Sequence, residues 1–238
     1  MIARRLAVLA LIALPGGALA QASQCTPPQR LPRPQPDGPG DAEPARRLPI
    51  GGYTLALSWS PQACRTPDAA RRDPLRCGPR AAGRFGFTLH GLWPDGRGKA
   101  WPQYCTAVSL LPERVIRDHI CATPSVQLLQ HEWAKHGSCM GTTPAAYFSR
   151  STALYRQVRY PDMRALSRRP ALTVGQFAAA FASANPGMDA AMLRVTVDRR
   201  GWLDEVWLCL DTGFHTARCP AHQGGAAARA RLKIWRDG

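Results

Sequence analysis

The stretch "HEWAKHGSC", His131 to Cys139, packs two histidines, a glutamate and a lysine into six residues. How it is read decides what the chain builds around it. The metalloprotease signature HExxH needs histidines four residues apart on one helix. Here the fourth residue after His131 is Lys135, and His136 follows one later. At about 100° per helical residue, His131 and Lys135 lie about 40° apart, and His131 and His136 about 140° apart. A lysine would also bring its positive charge to the place where a cation would sit. The spacing therefore disfavours zinc, and neither a metal nor a cofactor is expected. The better reading is the last turns of a helix over Ser125–His136, with Ser125 as N-cap and Gly137 as the stop. On it His131 and Lys135 form one stripe, and Glu132 and His136 form the next, each an i, i+4 pair. A solvated helix face is the usual meaning of such a charged stretch, but it leaves the contiguous patch of titratable groups unexplained.

Working outward, the flanks predict an α+β fold: a mostly antiparallel central sheet with helices packed over it. "YTLALSW" (Tyr53–Trp59) reads as a buried strand. "RFGFTLHGLW" (Arg84–Trp93) reads as a second, ending in a turn at Pro94-Asp95-Gly96. Helices are expected over Glu113–Ile120, Ser125–His136, Pro144–Val158, Met163–Arg168 and Val174–Ser183, with Thr173 a further N-cap. Strands return at Leu193–Val197 and Leu203–Leu210, joined by a hairpin turn at Asp198–Gly201, and "RLKIW" is expected to add a last strand. No internal repeat is visible.

The start of the chain fixes the compartment. Arg4 and Arg5 precede an apolar run, Leu6–Leu14, and Ala18-Leu19-Ala20 supplies a small-x-small cleavage pattern. This predicts a signal peptide over residues 1–20, cut after Ala20 or Ala22, and a secreted or periplasmic protein. The apolar run is too short to span a bilayer, and no membrane association is expected. Residues 21–49 form a Pro-rich arm, predicted to be extended and poorly ordered, ahead of one domain over 50–238. All eight cysteines lie after the signal, so up to four disulfides are expected in an oxidising compartment. Proximity suggests Cys209–Cys219. Loss of Arg4 and Arg5 takes the formal charge from +15 to +13. Such a surplus suits a polyanionic partner, whose counterions are released on binding.

His90 sits at the end of the "FTLHGLWPDG" strand. Alone it would more often be structural. Its surroundings add weight: Trp93, Trp101 and Tyr104 offer apolar faces, and Asp95 offers an acceptor. Aromatics beside basic residues are what a stacked base next to a phosphate requires. Three histidines, a lysine and a carboxylate then suit RNA. One imidazole can remove the 2′ proton while another protonates the leaving 5′ oxygen. A lysine and a third imidazolium can stabilise the charge gathering on phosphorus.

The two motifs, "FTLHGLWP" and "HEWAKHGSC", resemble the active-site motifs of the ribonuclease T2 family: secreted, base-non-specific, cyclising endoribonucleases. "LALSWSPQAC", "PAAYFSRSTALY" and "EVWLCLD" resemble its first strand, a helix and a late strand, so the likeness runs from about Tyr53 to Cys219 and omits the arm. The resemblance implies that His90 and His136 share the acid and base roles, with His136 the base in the first step. It implies that His131 contacts phosphate, and that Glu132 and Lys135 polarise it. It implies that Trp93, Asp95 and Trp101 form the base pocket, with Trp93 stacking on the base, and that Cys105–Cys139 and Cys209–Cys219 are bridged. The pairing among Cys25, Cys64, Cys77 and Cys121 stays open. The expected partner is single-stranded RNA, met by a monomer. Two other readings stand beside this one: a non-catalytic polyanion-binding protein, and a secreted zinc hydrolase, which the i+5 spacing disfavours.

Overall fold

The computed structural model describes residues 25–79 and 81–236. The signal peptide expected over 1–20, with its cut after Ala20 or Ala22, lies outside the described residues. Four antiparallel strands form one sheet: β1 (Ile50–Trp59), β2 (Phe87–Gly96), β3 (Leu193–Val197) and β4 (Leu203–Leu210), in the order β2-β1-β4-β3. Between β1 and β2 lie three one-turn helices, α1 (Ser60–Ala63), α2 (Ala69–Arg72) and α3 (Pro74–Cys77). The larger helices follow: α4 (Glu113–His119), α5 (Val126–Lys135), α6 (Pro144–Gln157), α7 (Met163–Ser167) and α8 (Val174–Ser183). The α+β architecture is the one the residue pattern implies. Among the described residues, no helix is long and apolar enough to cross a membrane.

One face of the sheet is apolar, and the large helices cover it. Leu55, Leu57, Phe87, Leu89, Leu92, Val195, Val206 and Leu208 pack there with Leu129, Tyr147, Phe177 and Phe181. The other face is polar, and it carries Thr54, Ser58, Glu205 and Trp207. Strand β2 is an outer strand, and unpaired strand edges invite association with other chains. Here the helical layer covers that edge. The Tyr147 hydroxyl donates to the carbonyl of Leu92, the Tyr155 hydroxyl donates to that of Phe87, and the Thr123 hydroxyl donates to that of Leu89.

Three expectations need correction. The turn at Pro94–Gly96 is instead strand, because β1 begins early enough to pair with it: Tyr53 faces Pro94 and Gly52 faces Asp95. "RLKIW" forms no strand. Leu232 and Ile234 are buried in alternation as the pattern requires, but the segment meets the domain through single bridges, Arg231 to Thr173 and Lys233 to Trp202. From Cys25 on, the arm has almost no regular structure, as its prolines dictate, yet it is not loose. It is bonded to the domain by Cys25–Cys121, by Arg117 donating to the carbonyls of Pro28 and Gln29, by Gln35 on Gln127, and by backbone pairing of Arg46 with Gln103.

All eight cysteines are paired: Cys25–Cys121, Cys64–Cys77, Cys105–Cys139 and Cys209–Cys219. The first two resolve the pairing that the sequence left open.

Candidate active site

Helix α5 begins where its sequence places it, with the Ser125 hydroxyl accepting from the Leu128 amide at 3.3 Å. It ends at Lys135, and His136 is the C-cap. Gly137 does more than stop the helix. A Cβ there would lie 2.4 Å from the Trp133 ring and 3.0 Å from Tyr147. The glycine thus lets the chain past His136 pack directly on two core aromatics. The two stripes of the helix divide. Glu132 and His136 turn inward and are buried, whereas His131 and Lys135 stay at the surface beside the arm.

His90 is placed by an irregularity in the sheet. Ala56 pairs with Gly91, but the next residue, Leu57, pairs with Leu89, so His90 has no partner in β1. A bulge of this kind re-aims a side chain and is common beside active sites. The core residues of β2 record it: Phe87 and Leu89 are two apart, Leu89 and Leu92 three apart. The imidazole therefore projects from the polar face. Its Nδ1 lies 2.5 Å from Glu205 Oε1, and its Nε2 lies 3.6 Å from Glu132 Oε1.

Gly91 is required by the same arrangement. A Cβ on it would sit 1.7 Å from Glu132 Oε2 and 2.7 Å from Trp93 Nε1. The bare backbone makes room for the Glu132 carboxylate, which accepts from Trp93 Nε1 at 2.9 Å. Trp93 is the hub of the site. His136 stacks on its ring at 5.5 Å between centroids, while His90 at 5.1 Å and Trp207 at 5.7 Å meet it at steep angles. The indole thus holds both histidines and the glutamate in register.

These neighbours set opposite protonation for the two histidines. Burial alone would lower the pKa of His90, but the Glu205 hydrogen bond and the charges of Glu132 and Glu205 outweigh it, and the net shift is upward. Burial pushes His136 well below the usual histidine range, and Lys135, His131 and His90 push in the same direction. His136 Nδ1 is buried with no hydrogen-bond partner among the described residues, and an imidazolium would leave a charged donor unsatisfied there. Burial drives Glu132 up to about 7, against the opposing pull of His90 and Trp93. Burial works in the same sense on Glu205, yet donors from His90, Ser58 and Trp207 overcome it and hold that carboxyl at about 2.

A cleft of about 530 Å³ opens over this centre. His90, Trp93, Asp95, Trp101, His131, Glu132, Lys135 and His136 all line it, so the candidate site residues of the two motifs and Trp101 meet in one place. Asp95 accepts from the Thr54 hydroxyl at 2.7 Å, and burial raises its pKa. Trp101 is 45% exposed at the mouth, with the Arg46 guanidinium 5.0 Å from its ring centre. His222 and Gln223, just beyond the Cys209–Cys219 bridge, complete the far wall, and Gln223 donates to Thr54. The Cys105–Cys139 bridge ties the end of α5 to the segment that follows Trp101.

Several groups in this site escape a reading of the sequence. Glu205 is 115 residues from the histidine it holds, and nothing local marks it. Gly91 did carry a signal, since a glycine inside a strand often marks close approach of another group. Asp37 and Glu43 of the arm reach His131 and Lys135, and composition alone assigned them to an extended, poorly ordered arm.

Comparison with known proteins settles the lineage. A profile described as the ribonuclease T2 family matches residues 50–219. The chain belongs to the ribonuclease T2 family. It is 32% identical over 166 residues to a ribonuclease of Aeromonas hydrophila, covering 67% of this chain and 71% of that one. It is 28% identical over 184 residues to a probable ribonuclease of Haemophilus influenzae, covering 73% of this chain. The match spans 62% of the length of that Haemophilus relative. In fold it is similar to the solved structure of trichomaglin, described as an S-like ribonuclease. The TM-score is 0.64 at 21% identity, covering 79% of this chain and 100% of trichomaglin. The part matched by the family profile contains the whole bulge–helix centre and ends at Cys219; the arm before Ile50 lies outside it.

Proposed function

We propose that this chain is a secreted or periplasmic endoribonuclease. It acts as a monomer and cleaves single-stranded RNA, with little base preference, by using the 2′-hydroxyl as an internal nucleophile. The carrying observation is the pair His90 and His136, held against one indole with their pKa values displaced in opposite directions. A poised acid and a poised base are what concerted proton transfer needs.

In the first step neutral His136 takes the 2′ proton, the 2′ oxygen attacks phosphorus, and the bond to the 5′ oxygen breaks as protonated His90 supplies its proton. The products are a 2′,3′-cyclic phosphate and a free 5′-hydroxyl. In the second step the roles exchange. His90 deprotonates water, and His136 returns its proton to the 2′ oxygen, leaving a 3′-phosphate. Glu205 accepts from His90 Nδ1, which directs the other nitrogen and its proton toward the leaving group. Lys135 and His131 bind the phosphate oxygens. Glu132, beside His90 and Trp93, acts with Lys135 to polarise the phosphate as charge builds on phosphorus. The side chains supply every proton transfer, so no metal or cofactor enters the scheme. Trp101 and Asp95 face the base. Trp93, already stacked on His136, serves to align the histidines more than to stack on a base, a change from the role the resemblance implied.

The test is a ribodinucleotide and its 2′-deoxy counterpart, each incubated with the protein in EDTA. Cleavage of the ribo form alone, through a 2′,3′-cyclic phosphate, is expected. Cleavage of both, or of neither, would overturn the mechanism, as would activity that returns only with a divalent metal.

A further inference from the structure

The arm touches two residues that line the active-site cleft, His131 and Lys135. Asp37 Oδ2 lies 3.1 Å from His131 Nδ1, and Asp37 Oδ1 accepts from the Tyr104 hydroxyl at 3.1 Å. Glu43 Oε1 lies 2.5 Å from Lys135 Nζ. The surface stripe of α5 thus presents two basic groups to the cleft, and an arm carboxylate meets each. The chain has 31 Lys and Arg against only 16 Asp and Glu, so carboxylates are scarce and exposed cations are plentiful. Two of the three carboxylates between Asp37 and Glu43 nevertheless fall on this pair. A carboxylate offers anionic oxygens to the same donors that a phosphodiester would use.

The segment is held as a detachable occupant would be. Its ends are fixed by the Cys25–Cys121 bridge on one side and by Arg46 paired with Gln103 on the other. Between Gln35, bonded to Gln127, and Pro44, whose carbonyl accepts from Gln103, the hydrogen bonds to the domain are those of Asp37 and Glu43. A local turn, in which Gly40 and Glu43 exchange backbone hydrogen bonds, separates the two carboxylates. The Glu43 side chain is 48% exposed, which weakens its pair, although Lys135 is 13% exposed and His131 and Asp37 are 30% and 18% exposed. Tethering makes up for that weakness, because a short link keeps the occupant at millimolar effective concentration.

We infer that residues 37–43 are an intramolecular stand-in for the RNA backbone, occupying the phosphate-binding side of the cleft so that substrate must displace them. The inference rests on the endoribonuclease reading above. It concerns the arm that lies outside the family match, and it makes this arm a brake on substrate binding with no part in the chemistry.

The test compares the full chain, disulfides intact, with an Asp37→Asn/Glu43→Gln variant and a charge-matched control, Asp68→Asn/Asp118→Asn, at two exposed carboxylates away from the arm and the cleft. Apparent affinity scales with the fraction of open enzyme, so an arm closed two-thirds of the time raises KM about threefold. The first variant should lower KM for a ribodinucleotide by about that factor or more with kcat unchanged, and the control should not. A raised KM or a lowered kcat would make the carboxylates positioning groups for His131 and Lys135 and overturn the inference. Unchanged constants, or an equal effect in the control, would also overturn it. Inorganic phosphate titrated by calorimetry gives a second readout independent of turnover, with tighter binding expected only in the Asp37→Asn/Glu43→Gln variant. If the unmodified chain cleaves no RNA, the parent reading fails, and the phosphate titration alone decides whether the arm competes for the site.

Discussion

His136→Ala is expected to lower kcat by about 10²–10⁴-fold, the usual contribution of a positioned acid or base, while the disulfide-bonded domain still folds. His136 is the one imidazole of the centre with no carboxylate beside it. Its surroundings are the face of Trp93, the edge of His131 and the end of α5. They hold it neutral, as the proposed first-step base must be. The check is single-turnover cleavage of a ribodinucleotide, with near-ultraviolet circular dichroism to confirm the fold. KM should change far less than kcat, because His131 and Lys135 still bind phosphate. Residual turnover within tenfold of the parent would move the base role elsewhere. His136→Asn, which keeps most of the volume beside Trp93, separates lost chemistry from a cavity effect.

The second large effect is expected at a residue with no reach to the substrate. Among the described residues, every hydrogen-bond partner of the Glu205 carboxylate is a donor: His90 Nδ1, the Ser58 hydroxyl at 2.7 Å and Trp207 Nε1 at 2.8 Å. Glu205→Gln must turn an amide N–H toward one of them and removes the charge that raises the pKa of His90. The sign follows. In the proposed mechanism activity needs His136 neutral and His90 protonated, so it lies between the lowered pKa of the first and the raised pKa of the second. Without Glu205 the His90 pKa falls, and the alkaline limb of the kcat/KM profile moves to lower pH while the acidic limb stays in place. At neutral pH the loss should be on the order of 10²-fold. A merely structural role would lower the melting temperature and leave the limb where it was, and that outcome would remove Glu205 from the mechanism.

How much of this was readable beforehand depends on range. The helices α4 to α8 were legible because caps and periodicity are local: Ser125, Thr143 and Thr173 each accept from the amide three residues on. The strands at Leu193–Val197 and Leu203–Leu210 were legible for the same reason. The one-turn helices between Ser60 and Cys77 are too short to show a period. The end of β2 was misread because Pro94 and Gly96 are turn residues by habit, and only the partner strand keeps them extended. "RLKIW" had the right alternation but no neighbouring edge free along its length. The bulge at His90 was present in the spacing of Phe87, Leu89 and Leu92, where alternation breaks by one residue. The candidate site was legible in two motifs, which carry the histidines, the glutamate and the lysine. Its supporting groups were not, since Glu205, Asp37 and Glu43 reach the centre only through tertiary contacts of 92 residues or more. Trp93 shows the limit within a motif. Its presence was plain, but its packing against His136 emerged only with the structure.

In the proposed mechanism the fold assigns base and acid before substrate arrives, by burying one histidine away from carboxylates and setting the other between two. The direct measurement is a titration of the imidazole signals of His90 and His136 by nuclear magnetic resonance in the free protein, each assigned by its Asn variant. His136 is expected to become neutral at a pH well below that at which His90 loses its proton, so that both are in their working states over the interval between. Titration in the opposite order, or together near the ordinary histidine value, would contradict the account.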